Sequence, residues 1–260
     1  IQHGYDVLPV YIHHSEDSKP AGAASLWWLH HSLNALSAGI QALGGGFLLI
    51  DAQGSGKSVI DCFKTLLDNH QAEILLWNSN HDPSQAELEQ SLNTELSNRC
   101  QVKRFSGRLI FDPNQVVKDD GTPYKVFTPF YKKCLTYLTP DPKSYSAEDI
   151  NWHSFDNASC VESFGLLPTN PNWAKSFEPH WTPGEDGASA RLQQFIDTGM
   201  AGYSEGRDIP SIDGTSQLSA HLHFGEISPR QAWHAAQWAE SSAAELADGA
   251  KAWMGELIWR

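Results

Sequence analysis

Over the first 105 residues, short apolar runs alternate with helix-like runs, and this alternation limits the possible fold more than any other feature of the chain. "DVLPVYI" (6–12), "FLLID" (47–51), "EILLW" (73–77) and "QVKRF" (101–105) have the length and composition of buried strands. Between the first two, Leu26, Leu29, Leu33, Leu36, Ile40 and Leu43 recur at helical spacing, and three glycines close the run. "SVIDCFKTLLDNH" (58–70) places Ile60, Phe63, Leu66 and Leu67 on one face, and "SQAELEQSLNTELSN" (84–98) reads as an acidic surface helix. Strands separated by helices of this length cannot close as tight hairpins, so they pair in parallel through crossovers. The expected fold class is α/β, a Rossmann-like parallel sheet domain with helices on both faces.

"LLIDAQGSGKSVIDCF" (48–63) looks at first like a phosphate-binding loop. A loop of that kind needs a glycine, four residues and then Gly-Lys-Ser/Thr, so that backbone N–H groups wrap the phosphates. Gly56-Lys57-Ser58 is present, but the position of the first glycine is Asp51, whose carboxylate repels phosphate. The stretch reads instead as a strand-to-helix turn built from flexible, cap-forming residues.

Past residue 106 the pattern changes. "GRLIFDPNQVVKDDGTPYKVFTPFYKKCL" is dense in aromatics, prolines and glycines, and "DDGTP" signals a turn. The stretch from 138 to 183 is rich in Pro, Asn and Ser, with Trp152, Trp173 and Trp181 along it. Helical patterns return in "RLQQFI", "SPRQAWHAAQWAESSAAELA" and "AKAWMGELIW". The expected organisation is an α/β domain over 1–115, a long linker over 116–182, and a helical domain beginning at 183 and running to 260.

The 260 residues carry a formal net charge of −13, so the surface as a whole does not attract nucleic acid, and any such contact requires a local basic patch. Cys62, Cys100, Cys134 and Cys160 form no CxxC pair and match no zinc spacing. They read as reduced thiols of a cytoplasmic protein. No apolar run has the length to span a bilayer and no signal peptide is visible.

Residues 183–233, "PGEDGASARLQQFIDTGMAGYSEGRDIPSIDGTSQLSAHLHFGEISPRQAW", closely resemble the core of the DNA photolyase/cryptochrome family. "PAGAASLWWLHHSLNAL", "DGTPYKVFTPFYKKCL" and the terminal "GELIWR" fit the same family, most like class I cyclobutane pyrimidine dimer photolyases. The resemblance implies an N-terminal α/β domain that often carries an antenna chromophore, followed by an all-helical domain that binds FAD. It implies light-driven electron transfer from reduced FAD to a pyrimidine dimer flipped out of damaged DNA, in a protein that is a monomer when complete. Against the family, one strand is missing before "DVLPVYI" and the helical domain stops early, so the chain reads as a piece of such a protein, truncated at both ends.

Carried over residue by residue, the resemblance assigns Thr215, Ser216, Gln217, Leu218 and Ser219 to the FAD pyrophosphate. Hydroxyls near a helix start suit anionic oxygens, and helix capping by the same hydroxyls is the alternative. The family usually has arginine where this chain has Gln217. Tyr203 matches a tyrosine packed on FAD, and Arg207 matches a DNA-contacting position whose alternative is an ion pair with Asp208. Glu256 and Trp259 match the dimer-binding glutamate and tryptophan, and their spacing of three puts both on one helix face. Arg260 is expected near the flavin or the DNA backbone. Of the antenna, folate or deazaflavin, little is fixed: Ser84 and Gln85 stand where folate-binding members carry Asn-Glu.

His221 and His223 form an HxH pair without a third ligand nearby in sequence, so no metal is expected. His30-His31 is expected to line interdomain or surface contacts. No GxSxG or Ser-His-Asp constellation supports a hydrolase. Two rival readings stand beside the repair enzyme: a cryptochrome-like blue-light photosensor, and a non-catalytic remnant that holds no flavin.

Overall fold

The computed structural model describes residues 4–14, 21–137, 150–156 and 160–260. Residues 138–149 and 157–159 of the expected linker lie outside them. The chain divides into two compact units. The first takes its described residues from Ile1–Trp77, His81–Lys103 and Ser144–Glu185, and the second from Asn78–Asn80, Arg104–Lys143 and Asp186–Arg260.

In the first unit, β1 (Asp6–Val7) and β2 (Val10–His13) precede α1 (Ala23–Ala42), β3 (Leu48–Asp51), α2 (Ala52–Ser55), α3 (Val59–His70), β4 (Ile74–Asn78), α4 (Pro83–Leu96) and β5 (Gln101–Phe105). The run expected as one strand over 6–12 is two. Pro9 has no N–H to donate and breaks the ladder, although its carbonyl still accepts from the N–H of Leu48 at 2.9 Å. β2 pairs in parallel with β3, Val10 opposite Leu48 and His13 opposite Asp51. β1 pairs in parallel with β6 (Asn151–Trp152), a strand inside the stretch read as linker. β4 pairs with β5, and Gln101 donates to the carbonyl of Glu73 at 2.8 Å. Parallel pairs between intervening helices make the fold α/β, as the alternation requires.

The turn at 51–58 is built as its residues suggest. Asp51 accepts from the N–H of Gly54 at 2.7 Å, Gly56 closes α2 at φ +65°, and Ser58 caps α3 by accepting from Asp61 N–H at 3.0 Å. Leu67 of α3 packs with Leu92 and Leu96 of α4, with Ile60 and Phe63 alongside. The apolar face expected for α1 is largely kept and widened: Leu33 and Ile40 are buried, Leu26 and Leu29 pack against the same core, Trp27, Trp28 and His30 are buried as well, and Leu36 and Leu43 are exposed. Aromatic partners from residues 173–181 account for the widening, because Trp27 packs on Phe177 and Trp28 on Trp181, each with centroids 5.4 Å apart. Burying two indoles outweighs exposing two leucines. His30 therefore lies inside this unit, within 3.2 Å of the Asn34 amide, and His31 lies tilted against Trp27 at 4.5 Å.

The second unit is helical. α5 (Phe127–Cys134) lies in the remaining part of the expected linker, and α6 (Glu185–Gln194), α7 (Tyr203–Gly206), α8 (Ser219–Phe224), α9 (Pro229–Ser242) and α10 (Ala247–Trp259) follow. A π-helical turn, Phe195–Gly199, joins α6 to α7. α9 starts in a capping box in which Ser228 and Gln231 satisfy one another's backbone N–H groups. The core gathers Ile110, Val116, Cys134, Phe195, Met200, Leu218, Trp233, Trp253 and Leu257, so α5 and the loop before it are built into this unit rather than strung between domains. Among the described residues no helix is long and apolar enough to cross a membrane, and the four cysteines are free thiols.

Candidate functional site

α10 positions two of the expected residues. Trp253, Met254, Leu257 and Ile258 are buried against the helical core. With that face turned inward, Glu256 and Trp259, three apart, both remain accessible. Trp259 is 62% exposed and rests edge-on against Phe127, centroids 4.5 Å apart. Its indole is thus supported from one side and open on the rest.

The turn entering α7 approaches α10 at Gly249, where a Cβ would collide with the carbonyl oxygen of Met200 and stand 3.5 Å from the Tyr203 Cβ. Only glycine permits this approach, and the approach brings Arg207 to Glu256. The guanidinium Nη1 donates to the Glu256 carboxylate, Nε lies 3.8 Å from Asp208, and Cζ stands 5.9 Å from the Tyr203 ring centroid. Arg207 therefore makes the expected pair with Asp208 together with a closer one to Glu256. The hydrogen bond that Arg207 donates to Glu256 raises the Arg207 pKa further, and burial, followed by the Glu256 charge, pushes the Tyr203 phenol up. Tyr203 itself is buried, edge-on to Phe195 at 5.4 Å.

The Thr215–Ser219 stretch follows a glycine-dependent crossing. Gly214 crosses α7 so closely that a Cβ would meet the Gly206 carbonyl oxygen at 2.4 Å. Arg191 then holds the loop: Nη2 pairs with both Asp213 oxygens at 3.2 and 3.3 Å, and Nε donates to the Ser216 carbonyl at 3.2 Å. Gln217 adopts φ +52° and donates to Asp213 at 2.6 Å. Leu218 is the N-cap of α8 and no side chain caps the helix, while the Ser216 hydroxyl accepts from the Leu218 N–H at 3.5 Å. Arg191 of α6, a residue the sequence reading did not single out, braces the loop, with its charge taken up by Asp213. The hydroxyls of Thr215, Ser216 and Ser219 are the donors this loop offers to an anion, beside the carboxylate of Asp213.

The HxH pair separates. His221 is buried, with Nδ1 2.5 Å from Glu226 Oε2, whereas His223 packs on Phe224 at 4.8 Å and its backbone carbonyl accepts from Arg108 at 3.2 Å. Among the described residues no three His, Cys, Asp or Glu side chains group as metal ligands. Arg260 donates to the carbonyl of Arg108 at 3.4 Å. Burial, then the Arg108 charge, lowers the Arg260 pKa, and burial with the charges of Arg108 and Arg260 lowers that of His223. Arg108 and Phe127 were also missed in the sequence, since nothing local distinguishes a residue that meets its neighbours more than a hundred positions away. Ser84 lies on the first turn of α4, whose N-cap Asp82 accepts from its N–H at 3.1 Å.

Residues 1–148 match the family model for DNA photolyase. A deoxyribodipyrimidine photo-lyase of Agrobacterium fabrum is 37% identical over the whole of this chain and 53% of its own length. Cryptochrome-2 of Arabidopsis thaliana is 28% identical over 90% of this chain and 39% of its own length. The crystal structure of a bacterial class III photolyase from Agrobacterium tumefaciens superposes with a TM-score of 0.89 at 34% identity, covering 100% of this chain and 52% of that one. The class I likeness read from the sequence thus stands beside a class III relative. The chain spans about half the length, or less, of these relatives.

Proposed function

The chain belongs to the DNA photolyase family, and we propose that it supplies the dimer-binding face and part of the FAD site of a light-driven enzyme that splits cyclobutane pyrimidine dimers in DNA. The observation that carries this reading is the exposed Trp259 ring beside an ion-paired Glu256 on one face of α10. An extruded base stacks on Trp259, worth ~1–3 kcal/mol per base. Glu256, held by Arg207, offers carboxylate oxygens to the N–H edge of the pyrimidine, and Arg207 can turn from Glu256 toward the DNA backbone. FAD, when bound, supplies the photoexcited electron. This chain's own part would be to hold the cofactor: Thr215, Ser216 and Ser219 would offer hydroxyls to its diphosphate, Gln217 and Leu218 shape the loop that Arg191 braces, and Tyr203 and Arg260 would complete the contacts. An antenna chromophore, folate or deazaflavin, would belong to the α/β unit.

The test is binding of an oligothymidylate carrying one cyclobutane dimer against its undamaged twin, by fluorescence anisotropy. Preference for the damaged strand, lost in Trp259→Ala and Glu256→Gln, is the expected result; equal affinity for the two strands sinks the reading. The cryptochrome relative motivates the photosensor alternative. Dimer splitting under blue light by the FAD-loaded protein decides for the enzyme, and a protein that stays colourless after incubation with FAD decides for a remnant without flavin.

A further inference from the structure

Two of the three glycines that follow α1 carry aromatic rings from far along the chain. A Cβ on Gly45 would stand 2.6 Å from the Trp152 indole, and one on Gly46 would stand 2.7 Å from the Phe155 ring. Glycine alone leaves room for both rings. Trp152 Nε1 also donates to the Leu43 carbonyl at 3.0 Å, and the backbone N–H of His153 donates to the Val7 carbonyl at 3.1 Å. Residues 150–156 are thus seated on the α/β unit by two rings and a two-residue ladder between β6 and β1. A ladder that short is marginal by itself, so each side-chain contact bears on whether the segment stays seated.

One of those contacts can titrate. Between Trp152 and Phe155, His153 places Nε2 3.1 Å from Nδ1 of His70, the last residue of α3, with the two rings edge-on at 5.1 Å. His70 also meets the Phe155 ring edge-on at 6.3 Å. Both imidazoles are half-buried. Two facing imidazole nitrogens hold one proton between them, since one ring donates and the other accepts. Once both rings are charged, both nitrogens are donors, the acceptor is gone and two positive charges face each other. The titratable group acting on His70 is His153, whose charge, after burial, lowers the His70 pKa. Of the acidic residues closest along these elements, Asp68 pairs with Arg99, and Asp6 and Asp156 are exposed.

We propose that His70 and His153 form a proton-operated clasp: with one shared proton it fastens residues 150–156 to the α/β unit, and with both rings charged it releases them. The clasp is independent of the DNA and flavin readings above. Released histidines titrate at about 6.5. Below that pH the open form binds more protons than the closed one, so closure weakens as pH falls, by up to about tenfold per pH unit for each extra proton. The protons belong to the pair rather than to either ring.

The test is amide hydrogen exchange of the whole chain, read by mass spectrometry at pH 7.5, 6.5 and 5.5, with each rate divided by the intrinsic rate at that pH. Protection of the peptide carrying His153 is expected to fall about tenfold or more between pH 7.5 and 5.5, while β2 and β3 keep theirs. His70→Gln retains a hydrogen-bonding side chain that takes no proton, so protection over 150–156 should change by less than about twofold across the same range. Constant protection there in the unmodified chain overturns the clasp, as does an equal fall in His70→Gln. A fall shared equally by β2 and β3 marks general acid unfolding and overturns it too. If His70→Gln does not fold by circular dichroism, His153→Gln is read in the same way, with the same two outcomes. Imidazole nitrogen shifts of the unmodified chain, followed by NMR over the same range, add a readout that needs no variant: His70 and His153 titrating together in two steps supports the clasp, and two independent single-step titrations overturn it.

Discussion

Arg207 and Glu256, 49 residues apart in the sequence, form an ion pair between the end of α7 and the last turn of α10. Both side chains are at least a third exposed, so solvent screens the pair and its contribution to stability is at most about 1 kcal/mol. Its consequence is positional: it fixes where the Glu256 carboxylate points. Glu256→Gln is expected to leave the urea midpoint nearly unchanged while lowering affinity for a dimer-containing strand about tenfold, since hydrogen bonds to a charged group contribute ~1.5–3 kcal/mol. A drop in stability without loss of dimer affinity would show the pair to be structural.

Trp259→Ala removes a stacking surface and little core. With 62% of the residue exposed, thermal stability should shift only slightly. Affinity for the damaged strand should fall between about fivefold and a hundredfold, the range of ~1–3 kcal/mol per stacked base. Anisotropy on the damaged and undamaged strands, beside a thermal melt, measures both.

Gly249→Ala sets two effects against each other. Alanine gains up to ~1 kcal/mol in helix propensity over glycine. The added methyl, however, would collide with the Met200 carbonyl oxygen, which is backbone and cannot swing aside. α10 must then move off α7, at a cost of ~1–3 kcal/mol or more. Net destabilisation in urea unfolding is expected, with weakened dimer binding because Arg207 and Glu256 separate. A stabilised variant would refute the close approach.

His221 and Glu226 form a buried pair whose side chains are each 3% exposed. Removing the carboxylate takes the 2.5 Å partner from a buried ring nitrogen, so Glu226→Ala should cost ~1–3 kcal/mol. Replacing both by apolar residues of similar size should cost less than the two single changes combined, and a double-mutant cycle in urea measures the coupling.

His13, His30, His31, His70 and His223 all have lowered pKa values, in each case first through burial. The folded state therefore holds these rings neutral at pH values where the unfolded chain, at about 6.5, begins to protonate them. Between the folded values and about 6.5 the unfolded state binds more protons, so stability rises with pH across that window and levels off above it. Melting temperature should fall as pH drops from 7.5 to 5.5. Asp120 and Glu162, whose pKa values are lowered mainly by hydrogen bonds, act only at more acidic pH. A flat profile between 7.5 and 5.5 would refute the histidine burial.

The amino-acid sequence by itself determined the order and type of the elements in the first 105 residues, the cap-forming turn at 51–58, and the pairing of Glu256 with Trp259 on one helix face. Each is a local property: apolar period, side-chain capping and helical spacing act within a few residues. Tertiary structure decided the rest. It split the run around Pro9 between two parallel partners, one of them at Asn151–Trp152, because register between two-residue strands leaves no trace in composition. It widened the buried face of α1 to Trp27 and Trp28, because the aromatic rings that bury them come from residues 173–181. It moved α5 into the helical core, braced the 215–219 loop with Arg191, and set Arg108 beside Arg260 across 152 positions. Charge acts through space rather than along the chain, so such neighbours exist only once folding has brought them together.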